Sequence, residues 1–337
     1  MEIVIVYLGR RVPKYVFLNL SLLQSRFPDR QIVFLSDFSK NIEIGRRLGI
    51  KSILVPSPQE NWEIKPTSFN HDLRLRDGFW YKTFARFHSL NHYSMGKPFN
   101  SFLHVEADVL LLPNFPFERF FQIKAPLAYP LSTTRNAAAS TLYVENYAGF
   151  SEFMSFAESR VSTNPNATDM TVLADYADEH PERVFILPST IDNQRSFTKV
   201  TSLDDRKKFF ENANFFSGIF DANTWGQFLT GQDERNNRGI RRIYHHMPHH
   251  AIDPQNFDFF FDENINVSID NQQVSLFSLH IHSKDKRFFR FKSAQINVKL
   301  AIEGAKYGPA CKFRVSTAIV HFLNSSRNLA KRYLLPS

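Results

Sequence analysis

Along the N-terminal part of the chain, short continuous apolar runs alternate with segments whose apolar residues recur every three or four positions. The runs EIVIVYL, QIVFLSD and KSILVP are rich in β-branched residues, which is typical of buried strands. The segments between them, KYVFLNLSLLQSRF and IEIGRRLG, have helical spacing, and the second closes at Gly49. Strands that alternate with helices predict an α/β fold, a Rossmann-like parallel sheet with helices on both faces.

The same kind of pattern continues to about residue 200. Helices are expected in GFWYKTFARFHSLNHYSMG, YAGFSEFMSFAES and TDMTVLADYADEH, the last capped by Thr168 or Asp169. Strands are expected in SFLHV, APLAYP, STLYVEN and RVFILPS. Beyond residue 200 the spacing is less regular, with a hairpin predicted around Asp270–Asn271 and basic helices closing the chain.

Composition and missing motifs exclude several classes of protein. The opening apolar run has no basic segment before it, and no stretch approaches the roughly 18 apolar residues of a transmembrane helix. Cys311 is the only cysteine, which excludes a disulfide framework, so we expect a cytoplasmic protein. Neither G-x-G-x-x-G nor G-x-x-x-x-G-K-[ST] occurs, which argues against dinucleotide-binding and P-loop folds.

The net charge of +8 is concentrated at the C-terminal end. From Lys284 onward there are twelve Lys and Arg residues against two acidic ones, so the rest of the chain is close to neutral. This distribution predicts a local anionic partner and not a nucleic acid, although aromatics interleave with the basic residues of KDKRFFRFK. The final helix has an apolar side flanked by basic residues, which indicates either packing on the protein or contact with an anionic membrane surface.

Two acidic residues stand at the end of an apolar strand in FLHVEADVLLLPN. Glu106 and Asp108 are two positions apart, so both carboxylates can reach one hard cation. Ligands of open α/β sheets lie at the carboxyl ends of the strands, which is where this pair is expected. The alternative is a pair of solvated surface carboxylates.

A second candidate group lies in SLFSLHIHSKDKRF. If the strand continues, His280, His282 and Lys284 share one face. A neutral imidazole can be a third metal ligand, and an ammonium beside it can neutralise a diphosphate. The alternative is a surface pair of histidines. A zinc site in YHHMPHH is disfavoured because no fourth ligand is evident.

These motifs, in this order, resemble the GT-A glycosyltransferases, especially the glycogenin-like transferases and those that build capsules or lipopolysaccharide. The matching segments are IVIVYL, FWYKTFARF, FLHVEADVLLLPNF, FDANTWGQFLTGQDERN and LHIHSK, over roughly residues 1–290. Glu106 stands where the family's DxD motif more often has Asp, which puts its contact to the nucleotide ribose in doubt.

The resemblance implies a role for each matching residue. Asp108 and one histidine, with His282 preferred to His280, would bind Mn²⁺ or Mg²⁺. Glu106 would share the metal or hold the ribose, Lys284 would contact the diphosphate, and Arg86 would lie near the nucleotide or the carboxylates. The pocket for the base would consist of Tyr7, Leu8, Gly9 and Asp37.

The reaction also needs a surface for the sugar and a group that takes the acceptor's proton. Trp225, Asp221 and Gln227 are the candidates for the sugar surface, with a core position for Trp225 as the alternative. Asp221, Asp233 and Asp169 are the candidate carboxylates for proton transfer if the stereochemistry inverts.

The resemblance implies a glycosyltransferase domain over 1–290, with a nucleotide half at about 1–112, an acceptor half at about 113–290, and a basic helical extension at 291–337. We expect transfer from a nucleotide-sugar, UDP-linked, to a glycan or lipid-linked glycan. The alternatives are a sugar-phosphate or nucleotidyl transferase, a non-catalytic glycan-binding or membrane-attached protein, and a basic RNA-binding protein.

Overall fold

The computed structural model describes residues 1–58, 62–69, 78–97, 100–198, 200, 202–231, 250–261 and 264–289. Asp233, residues 244–249 of the histidine-rich segment and the predicted extension 291–337 lie outside the described residues. The predictions made for them stay predictions.

Within the described residues, the main sheet has eight strands in the order β3-β2-β1-β4-β8-β6-β7, with β9 paired to β6. The first four of this order are parallel to one another, whereas β8 runs antiparallel to both β4 and β6. The strands are β1 Glu2–Val6, β2 Ile32–Ser36, β3 Lys51–Leu54, β4 Phe102–Val105, β6 Leu127–Thr133, β7 Asn136–Ala137, β8 Thr141–Val144 and β9 Val184–Leu187.

Helices connect the parallel strands, because a parallel pair cannot be joined by a tight turn. The helices are α1 Lys14–Arg26, α2 Ser39–Arg47, α3 Phe79–Met95, α4 Phe117–Phe120, α5 Tyr147–Thr163, α6 Asp169–Glu179, α7 Leu203–Phe210, α8 Ala213–Phe216 and α9 Thr224–Thr230. The first three each precede a strand of the parallel set, as the alternating pattern predicts.

The parallel strands are apolar on both faces because each face covers a separate core. Ile3 and Ile5 of β1 pack in one core with α1, while Val4 and Val6 pack in the other with α3 and α5. Both cores are rich in Phe, and many of the rings meet edge to face, for example Phe87 with Phe153. The predicted fold class, a mixed α/β fold with a parallel-rich sheet flanked by helices, is confirmed.

Two smaller sheets complete the fold. One has the order β10-β13-β12-β11, and the other pairs β14 with β5 antiparallel. Their strands are β5 Val109–Leu111, β10 Gly218–Ile219, β11 Asp258–Phe261, β12 Ile265–Ile269, β13 Gln272–Leu276 and β14 Ser278–His280. The predicted hairpin is confirmed, since Asp270 and Asn271 form the turn of β12–β13 with φ of 48° and 66°, as a two-residue hairpin turn requires.

The start of α6 confirms one predicted cap. Thr168, and not Asp169, is the N-cap residue, and its side chain accepts a hydrogen bond from the backbone N–H of Thr171. None of the described helices has the length and apolar character needed to cross a bilayer.

Candidate functional site

The pair Glu106 and Asp108 occupies the link between β4 and β5. A backbone bond from Val109 N–H to Glu106 C=O closes this link into a tight turn. The buried side chain of Asn19 on α1 supports the turn, because its amide donates to the carbonyls of Ala107 (3.1 Å) and Val109 (2.8 Å). The two carboxylates are therefore held at the carboxyl end of β4, where the sequence predicts them.

The antiparallel pairing of β5 with β14 brings a histidine to this turn. The register places His280 opposite Val109, and Ile281 N–H donates to Asp108 C=O at 2.7 Å. The imidazole Nε2 of His280 lies 3.2 Å from Asp108 Oδ1, and its Nδ1 lies 3.5 Å from Glu106 Oε2. Among the described residues, these three form the group whose ligand atoms all lie within 4.8 Å of one another. We call them the carboxylate–histidine cluster.

The donor set fits a divalent cation. Two carboxylates and one imidazole suit Mn²⁺, and carboxylate oxygens alone suit Mg²⁺. The cluster's side chains are 8–15% exposed, so the cluster is accessible to a ligand and mostly shielded from bulk water. Two carboxylates held this close repel each other unless cations are present.

Two cationic side chains flank the cluster. Arg86 on α3 lies between Glu106 and Asp169 and hydrogen-bonds both, the second at 2.9 Å. Lys284 Nζ lies 3.4 Å from Asp108 Oδ2, and its backbone has a φ of 52°, a left-handed conformation uncommon for a residue other than Gly or Asn. Arg86 thus lies near the carboxylates, which is one of the two positions that the resemblance implies for it. The contact of Lys284 with a diphosphate stays a prediction.

The electrostatics of the site follow from burial opposed by neighbouring charge. Burial alone would raise the pKa of Asp108, but His280 and Lys284 hold it well below its ordinary value. Burial disfavours the charged form of His280, yet the nearby carboxylates raise its pKa. The pKa of Asp169 is raised because burial outweighs its attraction to Arg86.

Of the two histidines predicted as metal ligands, the structure brings His280 and not the preferred His282 to the acidic pair. His282 is not a member of the carboxylate–histidine cluster. Its ring stacks on that of His280 with centroids 3.9 Å apart, and its Nε2 lies 3.4 Å from the side-chain amide of Gln227. Strand β14 ends at His280, and the N–H of His282 turns back to the carbonyl of His280, so the two residues do not continue one strand face.

Trp225 has the core position that was the alternative to a sugar surface, and Asp221 is buried as well. Trp225 is 0% exposed, its Nε1–H donates to Ser189 C=O, and it packs against Phe257, so it has no face to offer a sugar. Asp221 is 0% exposed as well, and burial raises its pKa to about 6. Its carboxylate accepts three backbone N–H groups, which makes it a structural anchor and not an accessible base.

The remaining predicted carboxylate, Asp169, is buried and paired with Arg86, so it also has no open path to an acceptor hydroxyl. The ion pair of Asp169 with Arg86 helps to hold the guanidinium beside Glu106. The prediction that Asp169 takes a proton therefore finds no support in the geometry.

Of the residues predicted for the base pocket, Tyr7, Leu8 and Gly9 follow the carboxyl end of β1, the parallel neighbour of β4, and Asp37 follows the carboxyl end of β2. The N–H of Gly9 donates to Asp37 Oδ1 at 2.8 Å, and Tyr7 Oη donates to the carbonyl of Arg11. Leu8 packs at the margin of the core that contains α3. Because β1 and β4 are parallel, this loop and the carboxylate–histidine cluster share one edge of the sheet.

Sequence reasoning missed three residues that shape the site: Asn19, Asn223 and Gly226. Asn223 hydrogen-bonds His280 Nδ1, and a Cβ added at Gly226 would lie 1.8 Å from the carbonyl oxygen of His280. The signal for Gly226 was a glycine inside a predicted binding segment, since a helical glycine often marks a close backbone approach.

Comparisons with known proteins give structural neighbours only. Neither the family models nor the curated proteins contain a match to this chain. Similar solved structures include the galactosyltransferase LgtC with donor and acceptor sugar analogs (13% identity, TM-score 0.39, 57% of this chain and 74% of that chain). A glycosyltransferase involved in glycosylation of the major capsid of PBCV-1 matches at 13% identity and a TM-score of 0.33, over 55% of this chain and 81% of that chain.

A cytidylyltransferase from Leptospira borgpetersenii is also similar, at 11% identity and a TM-score of 0.34, over 64% of this chain and 87% of that chain. The neighbours thus include the GT-A glycosyltransferases that the motifs resemble, together with nucleotidyltransferases. At these identities the similarity is one of fold alone.

Proposed function

We propose that this protein is a metal-dependent glycosyltransferase that transfers a sugar from a UDP-linked nucleotide donor to a glycan or lipid-linked glycan acceptor. One observation carries the proposal. The carboxylate–histidine cluster and Lys284 converge at the carboxyl edge of a parallel sheet, where an anionic nucleotide can be held by a cation and an ammonium together. We further propose that the protein acts in the cytoplasm, with its basic C-terminal segment as a candidate for peripheral membrane contact.

The chemistry requires positive charge where the leaving nucleoside diphosphate develops negative charge. Asp108 and His280 would hold Mn²⁺ or Mg²⁺, and Glu106 would share the ion or bind the ribose. When bound, the ion supplies Lewis-acid stabilisation of the diphosphate. Lys284 adds an ammonium beside Asp108, and Arg86 hydrogen-bonds Glu106 and orients its carboxylate.

The other predicted contacts are proposed on position alone. Tyr7, Leu8 and Gly9, with Asp37 behind them, would receive the base at the end of β1. Gln227, whose amide lies near His282 beside the cluster, is the candidate for contact with the donor sugar. Neither Trp225 nor Asp221 is proposed to touch the substrate, because both are fully buried.

The test is a panel of nucleotide-sugars incubated with the purified protein and Mn²⁺, with release of free nucleoside diphosphate as the readout. We expect turnover of one donor class that is lost on chelation and reduced at least about a hundredfold in Asp108→Asn. Asp204→Asn is the matched control, because Asp204 has a side chain 92% exposed on α7 and is expected to keep full activity.

Two outcomes would contradict the proposal. Full activity of Asp108→Asn would mean that the cluster does not hold the ion. Release of pyrophosphate from a nucleoside triphosphate and a sugar phosphate, with no turnover of nucleotide-sugars, would instead identify a nucleotidyl transferase.

A further inference from the structure

A buried polar turn at the start of α9 ties this helix to His280. The carboxylate of Asp221 accepts hydrogen bonds from the backbone N–H groups of Trp225 (3.0 Å), Gly226 (2.7 Å) and His280 (2.7 Å). One side chain therefore joins the first turn of the helix to the last residue of β14. Because the carboxylate is 0% exposed, these bonds do not compete with water.

The same turn also contacts the imidazole ring. Oδ1 of Asn223 lies within hydrogen-bond distance of Nδ1 of His280, and both side chains are more than nine-tenths buried. An amide oxygen can only accept, so this contact requires a proton on Nδ1. The opposite nitrogen, Nε2, faces Asp108 at 3.2 Å.

The backbone of Asn223 explains why an asparagine suits this position. Its φ is 80°, a left-handed conformation in which Asn is tolerated far better than bulkier residues. Asn is thus able to make the turn and to present an acceptor to the ring. Glycine could make the turn but would present no acceptor.

We propose that Asn223 is a positioning residue that keeps Nδ1 of His280 protonated and thereby leaves Nε2 as the ligand for a divalent cation. The inference rests on the proposed metal-dependent function and adds a residue to it. Histidine ligands generally donate their second ring N–H to an oxygen in this way, and loss of that partner typically weakens metal binding by about 10–100-fold.

The test uses the full-length protein and Mn²⁺ alone. Asn223→Gly removes the acceptor and keeps the left-handed backbone, so the variant should fold. We expect its Kd for Mn²⁺, measured by calorimetry and by the electron paramagnetic resonance of free Mn²⁺, to rise by about 10–100-fold. Asn223→Asp restores an acceptor oxygen and is expected to bind Mn²⁺ at least as tightly as the wild type.

Asn271→Gly is the matched control. Asn271 has the same residue type and a φ of 66°, but it lies in the exposed β12–β13 turn. This variant should bind Mn²⁺ with the wild-type Kd. A merely structural role of Asn223 would change the melting temperature without changing the Kd.

The outcomes separate the two proposals. If the wild type binds Mn²⁺ and Asn223→Gly binds it equally well, the positioning role is overturned while the proposed function stands. If the wild type binds no Mn²⁺, both fail. If Asn223→Asp stays as weak as Asn223→Gly, the acceptor oxygen is not the cause and the inference is overturned.

Discussion

Replacement of Gly226 by alanine probes the close packing of α9 on the end of β14. Gly226 lies in the first turn of α9, directly against the last residue of β14. An added Cβ would lie 1.8 Å from the carbonyl oxygen of His280 and 2.7 Å from Oδ2 of Asp221. Ordinary contact distances are about 3.5 Å, so the helix and the strand must separate by well over an ångström. The atom in the way belongs to the backbone, which cannot rotate aside.

The cost can be estimated from the contacts that the separation breaks. Overpacking of this kind costs about 1–3 kcal/mol. The two hydrogen bonds that Asp221 Oδ2 accepts, from Gly226 and His280, contribute about 1 kcal/mol each. The higher helix propensity of alanine offsets about 1 kcal/mol of this cost. We therefore expect Gly226→Ala to lower the free energy of unfolding by about 2–4 kcal/mol.

Urea denaturation followed by circular dichroism measures this difference. Gly96→Ala is the control, because a Cβ there would meet its nearest atom, the carbonyl oxygen of Tyr93, at 3.6 Å, and the φ of −72° suits alanine. It should be neutral or slightly stabilising, by up to about 1 kcal/mol. If Gly226→Ala unfolds at the same urea concentration as Gly96→Ala, the close packing of α9 on β14 is refuted.

Three further substitutions test other parts of the structure. Burial would raise the pKa of Glu2, but hydrogen bonds and ion pairs to the carboxylate lower this pKa below the ordinary 4.5. Glu2 therefore stabilises the folded protein at pH values above 4.5, and this stabilisation is lost as the pH falls through the lower pKa of the folded state. Glu2→Gln should therefore be less stable than the wild type at neutral pH and equal to it in acid; a constant difference in urea stability across pH would contradict this. Arg86→Met leaves two carboxylates without their shared guanidinium and should cost about 3–5 kcal/mol in urea denaturation, whereas wild-type stability would show that the ion pairs are not formed. Trp225→Phe should cost about 1–3 kcal/mol through the unpaired carbonyl of Ser189, with an unchanged KM for the donor; a raised KM at wild-type stability would place the ring at the substrate.

Much of the first half of the fold could be predicted because its signals are local. Continuous apolar runs identify β1, β2 and β3, and helical spacing identifies the crossovers between them. The same local pattern shows that Glu106 and Asp108 follow a buried strand, and parallel strands with crossovers place that end at the ligand-binding edge. None of these conclusions requires knowledge of contacts between residues that are far apart in the sequence.

The roles of residues in the second half of the chain depend on contacts between distant segments, which no local sequence pattern specifies. Trp225 lies in a segment rich in Gly and Asn, which is as typical of binding loops as of a buried helix start. Its burial depends on Phe257 and on the carbonyl of Ser189, which reach it from other segments. Asp221 likewise lies in a segment that is typical of catalytic acids. Only the folded structure shows that its carboxylate accepts three backbone hydrogen bonds and anchors the start of α9 to β14.

The sequence by itself determined the α/β class, the acidic pair at the strand end and the presence of two histidines near a lysine. Only the tertiary structure decided which histidine joins the pair. The register of β14 on β5 sets His280 opposite Val109 and ends the strand there, so the two-residue period that would align His282 no longer applies. Residues so far apart along the chain meet through this pairing, and pairing register depends on packing and backbone hydrogen bonds that only the folded chain contains.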